Sequence, residues 1–332
     1  MSRISNNSTN DEGLPFTSVI PLDTIPALVL MVFILLINGG VILLISCYSH
    51  LRTTSNIILT SLAVSDFLVG SVGIPLLVAS NSLPFASASS ILLSCTIFFT
   101  FISLSSVLHI TVMTCDRYIY IMCALRYREI VNRGRVLVVL GLTWFISLSA
   151  LVRLSWTINF NIETASEYLA LQIEKETAYF LFNFIVFFIT PLIVMIVLDA
   201  HMLLLLRQQC QRIARENLPA EFMKREKKMQ RRQRRAVLTC VLLLILYVIF
   251  WLPYFILELM LHNHPTVPEQ LITTIYYLRL CPSLFNPLTY TLRKHDLKKA
   301  VKKIYNKMFP SCREKFSRKR PEEIPLSQPT YI

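Results

Sequence analysis

The sequence predicts an all-α integral membrane protein: a seven-transmembrane helix bundle followed by a short amphipathic eighth helix. Three observations carry that reading. The 332 residues are 54% hydrophobic and only 16% charged, with a mean hydropathy of +0.54, so the apolar excess has to face lipid. Low-charge runs recur at residues 24–47, 56–79, 91–114, 136–151, 178–198, 236–261 and 271–291, each near the about 20 residues that cross a hydrocarbon core of about 30 Å. The net charge of +13 is concentrated on one side of those runs.

That asymmetry orients the chain. Arg52, Arg126, Arg128, Arg133, Arg135, the basic cluster at 224–235 and the tail from Arg293 onward share a side, which the positive-inside rule makes cytoplasmic. The opposite loops are mildly acidic, with Glu163, Glu167, Glu174, Glu176 and Glu269 against Lys175. Seven crossings then leave the amino terminus outside, where Asn6 and Asn7 head overlapping glycosylation sequons. Residues 1–20 are polar and carry Asp11 and Glu12, so no cleavable signal peptide is predicted and the first span inserts itself. The expected divisions are an extracellular segment at 1–23, the seven-helix domain at 24–292, and a cytoplasmic helix and tail at 293–332. Basic cytoplasmic flanks and anionic lipid account for the positive charge, and no nucleic-acid partner is expected. Of the eight cysteines only Cys95 lies near the outer face, so no disulfide is predicted.

Each span carries a polar or helix-bending residue. Asn38 is a lone amide in the first, and an amide in lipid must find an interhelical partner. Asp66 in the second is an ionisable group at membrane depth, a functional candidate and a hydrogen-bond hub. The third ends in Asp116-Arg117-Tyr118; at 3.6 residues per turn Ser106 and Phe99 share the face of Arg117, about three and five turns toward the outside. The fourth contains Trp144 and ends with Arg153, which snorkels to the interface or helps bind an anion. The fifth contains Asn183, Pro191 and Asp199. The polar stretch 207–235 ends in Arg231, Arg232, Arg234 and Arg235, read as a cytoplasmic extension of the sixth span. In that span Trp251 precedes Pro253, whose missing N–H makes a pivot, and Glu258 lies two turns above Trp251. The seventh holds Arg279 two turns outward from Asn286-Pro287-Leu288-Thr289-Tyr290; such an arginine is expensive unless paired or facing a wet cavity. Lys294, Lys298 and Lys299 with Leu297, Val301 and Ile304 form an amphipathic pattern for a helix on the inner leaflet, and Cys312 beyond it is a palmitoylation candidate.

Taken together, Asn38, Asp66, the Asp116-Arg117-Tyr118 box, Trp144, Pro191, Trp251 with Pro253, and Asn286 to Tyr290 resemble the landmarks of rhodopsin-like (class A) G-protein-coupled receptors, one per span and in order. The resemblance covers about residues 20–312. It implies that Asp116, Arg117, Tyr118, Asp199, Trp251, Pro253, Asn286, Pro287 and Tyr290 form the switch and the G-protein-coupling end. It implies a ligand pocket at Phe99, Ser103, Asn183, Tyr254, Phe255, Glu258, Tyr276 and Arg279. It also implies a sodium site at Asp66, Ser106, Ser283 and Asn286, although Pro282 replaces a usual polar residue.

The departures from the family pattern are informative. Phe99 stands where aminergic receptors carry an aspartate, so the ligand is not expected to be a monoamine held there. Leu92 replaces the usual cysteine of the third span. Asp199 replaces the tyrosine usual eight residues after Pro191, and Gln233 replaces the acid that commonly faces Arg117 from the sixth span. Asp199 is therefore an alternative partner for Arg117, or else bonds His201 or water. Leu280 replaces the lysine that a retinal protein needs.

The reading is a non-enzymatic receptor of the plasma membrane, multi-pass, that converts binding of an unknown extracellular ligand into activation of a heterotrimeric G protein by shifting conformational populations. Arrestin, receptor kinases and membrane lipids are the further partners implied. Sodium is the sole cofactor candidate. A constitutively active, ligand-independent receptor is the alternative. A transporter relay through Asp66, Asp199 and Arg279 is weaker, because the seven spans show no obvious internal repeat.

Overall fold

A computed structural model describes residues 24–82, 85–157, 165–215, 219–263, 267–293 and 295–308. The sequons at Asn6 and Asn7 and the cysteine at 312 lie outside the described residues. The described chain is a bundle of helices, six of them long and apolar enough to cross a membrane.

The first span, Ile25–Cys47, starts on Pro26, which needs no intrahelical donor in the first turn. The second, Thr54–Leu68 and Ile74–Ser82, is interrupted by a π turn at Val69–Gly73 that precedes Pro75. The third, Phe85–Met122, is a continuous 38-residue helix, much longer than its apolar run. The fourth, Arg133–Ser147, is capped by the Asn132 side chain, which accepts from the Arg135 N–H at 2.9 Å. It tightens into a 3₁₀ segment at Leu148–Thr157. The fifth, Ala165–Asn183 and Thr190–Arg215, contains a π turn at Phe184–Ile189 just before Pro191. The sixth is one 44-residue helix, Ala220–Asn263, with Pro253 inside it. Arg231, Arg232, Arg234 and Arg235 lie in the amino-terminal half of that helix, and most of the expected polar connector 207–235 is helical.

The seventh run departs from a single uninterrupted helix. It forms Glu269–Leu278 and Pro282–Arg293, separated by a turn at 279–281. Tight backbone bonds there, Leu280 N to the Tyr277 carbonyl and Cys281 N to the Leu278 carbonyl, precede Pro282, which has no N–H to continue the ladder. His295–Met308 follows as the amphipathic helix. Leu297 and Ala300 join the bundle's core, whereas Val301 is exposed.

Burial is arranged for two solvents. Leu36, Leu43, Val138 and Phe145 are 64–70% exposed, the outward apolar surface expected of lipid-facing helices. Inward, one cluster links Leu59 and Leu62 of the second span to Met113, Leu243, Tyr247, Trp251, Tyr290 and Leu297. Gly73 brings the second and third spans together: a Cβ there would meet the Phe98 and Phe99 rings at 3.1 Å.

Candidate functional site

The inner end is built around Arg117. Its guanidinium pairs with Asp116 at 3.0 Å, donates to the Ser55 hydroxyl at the start of the second span, and lies over the Tyr120 ring at 5.9 Å. The Tyr127 hydroxyl, on a short helix below the third span, donates to Asp116 at 2.5 Å. Burial, reinforced by that carboxylate, pushes the Tyr127 phenol up to about 12. Arg117 is therefore held by its neighbour in sequence and by the second span.

Asp199 is not its partner here. Both Asp199 carboxylate oxygens are buried without a hydrogen bond, and His201 does not serve them, because its Nδ1 faces the Tyr118 hydroxyl at 3.0 Å. Gln233 is buried at the inner end of the sixth span; being neutral, it forms no ion pair.

At mid-depth the first, second and seventh spans are joined by polar bonds. Asn38 donates to the Ser283 carbonyl at 2.8 Å and to its own Ile34 carbonyl at 3.0 Å. Asn286 donates to Asp66 Oδ2 at 3.4 Å, and Ser283 lies against the same carboxylate. Asp66 Oδ1 is buried without a partner, and Ser106 is buried on the third span. An orphaned carboxylate oxygen with the Ser283 hydroxyl beside it is oxygen chemistry that fits a hard cation. Tyr290 is fully buried with its hydroxyl unpartnered, one turn beyond Asn286 and Pro287.

A further chain of bonds runs between the second, third and fourth spans. The Trp144 indole N–H donates to Ser61 Oγ at 3.0 Å, and Ser61 lies 2.7 Å from His109 Nε2. His109 Nδ1 is 2.6 Å from the Ser105 carbonyl. A carbonyl only accepts, so Nδ1 donates and Nε2 is left to accept the Ser61 hydroxyl. The sequence reading missed His109 and Ser61, although a lone histidine in an apolar span was a usable signal. It also missed Tyr247, a lone phenol in the sixth span. Ser55 and Tyr127 carry no signal in sequence.

The outer half opens as a cavity of about 700 Å³. Phe99 and Ser103 line it from the third span and Asn183 from the fifth; Tyr254, Phe255 and Glu258 line it from the sixth and Tyr276 and Arg279 from the seventh. All eight expected ligand-facing residues are thus brought together, with Trp251 among them. Phe255 packs on Phe188 at 4.7 Å between ring centres. Glu258 accepts from the Tyr276 hydroxyl at 3.4 Å and lies close to Tyr254. Arg279, placed by the turn of the seventh span, donates to Ser103 Oγ at 3.1 Å. Glu258 and Arg279 do not form an ion pair. Cys95 lines the cavity as a free thiol, and all seven described cysteines are free.

Comparison with known proteins agrees with this arrangement. Residues 37–290 match the family described as 7 transmembrane receptor (rhodopsin family). The mouse melatonin receptor type 1A is 25% identical over 295 residues, covering 85% of this chain and 80% of that protein. The dog adenosine receptor A3 is 25% identical over 280 residues, covering 81% and 85%. The rat histamine H2 receptor is 24% identical over 298 residues, covering 87% and 81%. With that match spanning most of its length, the chain belongs to the rhodopsin family of seven-transmembrane receptors.

Proposed function

We propose that this receptor lies in the plasma membrane with its amino terminus outside, binds an extracellular ligand in the outer cavity, and opens its inner end to a heterotrimeric G protein. The observation that supports this most directly is the position of Trp251. It lines the cavity and belongs to the same packed cluster as Tyr247, Met113 and Tyr290, so a ligand that shifts the indole repacks a core reaching toward Arg117. Such a ligand acts only through its difference in affinity for the two packings. In the resting arrangement Arg117 is retained by Asp116 and Ser55; on opening, it and the basic sixth-span extension face the G protein. Arrestin and receptor kinases would use the same cytoplasmic face. Sodium held by Asp66, Ser106 and Ser283, with Asn286 fixing the carboxylate, would favour the closed packing.

The test is a ligand-library screen in cells carrying a panel of G-protein activation sensors. The expected result is ligand-dependent activation that Arg117→Ala abolishes at matched surface expression without abolishing ligand binding. Activation unaltered by Arg117→Ala would overturn the proposed route.

A further inference from the structure

Among the described residues lining the outer cavity, Arg279 is the sole cation. Its charge is met only by neutral groups. The Tyr254 ring centre is 4.3 Å from the guanidinium carbon, Trp251 is at 5.5 Å and Phe99 at 5.8 Å. Ser103 supplies one hydroxyl. No carboxylate of the described residues lies within 4.0 Å of the guanidinium, and its Nε is buried with no acceptor. Ring faces offset part of the cost of a cation at membrane depth, but they accept none of its N–H bonds in the plane of the fork. That plane suits a carboxylate.

The acids of the cavity differ in position and in satisfaction. Glu258 already holds a bond from the Tyr276 phenol and lies close to Tyr254. Glu269 is exposed at the first turn of the seventh span, and Glu176 lies near the outer end of the fifth. An acidic outer part repels a ligand with several negative charges and tolerates one. The walls between are aromatic.

We infer that the ligand of this cavity is a small organic monoanion, a carboxylate on a flat apolar body, whose carboxylate is bound by the Arg279 guanidinium while the body lies among Phe99, Trp251 and Tyr254. This rests on the cavity being the ligand site. Because Arg279 stands over Trp251, drawing the guanidinium toward a carboxylate loosens its hold on the indole face. Anion recognition is thereby coupled to the residue that reports to the inner end.

The experiment uses purified full-length receptor and a panel of aromatic monocarboxylates, each with its matching carboxamide and arylalkylamine, read by ligand-induced thermal stabilisation and by G-protein activation in cells. Carboxylates are expected to bind wild type while their amides bind about ten-fold or more weakly, the loss typical of a charge-assisted pair. Arg279→Gln is expected to erase that preference. Arg279→Lys, which keeps the charge without the fork, is expected to retain part of it and shows that the lost preference is not misfolding. If amines or amides bind, sensitive to Phe99→Ala, while carboxylates do not, the inference fails and the cavity stands as the ligand site. Carboxylate binding unaffected by Arg279→Gln also overturns it. If no class binds, or binding ignores both Phe99→Ala and Arg279→Gln, the inference and the assignment of the cavity fall together.

Discussion

The Tyr247 hydroxyl of the sixth span reaches the backbone of the fifth, 3.1 Å from the Phe187 carbonyl and 3.3 Å from that of Phe188. Those carbonyls belong to the π turn that precedes Pro191, a proline with no N–H to give to the turn before it. The phenol therefore ties together two helices at the bend of one of them, where Phe187 and Tyr247 line the outer cavity.

Removing that tie alone should be measurable. Tyr247→Phe keeps the ring stacked near Phe188 and deletes the donor, which is expected to destabilise the closed packing by about 1 kcal/mol. The expected observations are a lower melting temperature of the purified receptor and higher basal G-protein activation. Unchanged values for both would show that the bond does not hold the two helices.

The Trp144–Ser61–His109 chain should behave as one unit. Ser61→Ala interrupts it in the middle and is expected to cost roughly 1–3 kcal/mol, because it leaves the indole N–H and the imidazole without their partner. Trap-free comparison comes from a double-mutant cycle with Trp144→Phe, in which the two losses should combine to less than their sum. Additive losses in thermal unfolding would show that the links are independent.

Asp199 carries a buried carboxylate with no hydrogen bond, so a neutral replacement relieves a desolvation cost. Asp199→Asn is expected to stabilise the resting receptor by on the order of 1 kcal/mol. If Asp199 receives Arg117 on opening, the same change lowers agonist-driven activation and is non-additive with Arg117→Lys at matched surface expression. Additive effects sink that exchange of partners, and restored or enhanced activation in Asp199→Tyr identifies the aspartate as a brake instead.

The orphaned Asp66 oxygen is expected to make agonist affinity depend on sodium. Raising sodium at constant ionic strength, with potassium as the replaced ion, should weaken agonist binding in wild type and leave Asp66→Asn unaffected. An identical sodium response in both proteins would show that the ion acts elsewhere.

Much of this receptor is written in short-range chemistry that a sequence displays directly. Runs of apolar residues near 20 long must be helices in lipid, because only the helix satisfies its own backbone there. Arginines on one side of those runs predict which side faces the cytoplasm. Helical spacing was also enough to place Phe99 with Ser106 on the face of Arg117, and Glu258 above Trp251, since three-dimensional neighbours on one helix are fixed by 3.6 residues per turn. What crosses between helices was not legible. The sequence offered Asp199 as a partner for Arg117 and left the partner of Arg279 open, and packing alone determined that Arg117 takes Asp116 and Ser55, that Glu258 goes to Tyr276, and that Asp199 and the Arg279 Nε are left without partners. Helix rotation, the π turns and the break at 279–281 set those distances. Each depends on how several spans pack at once, and no local spacing encodes it.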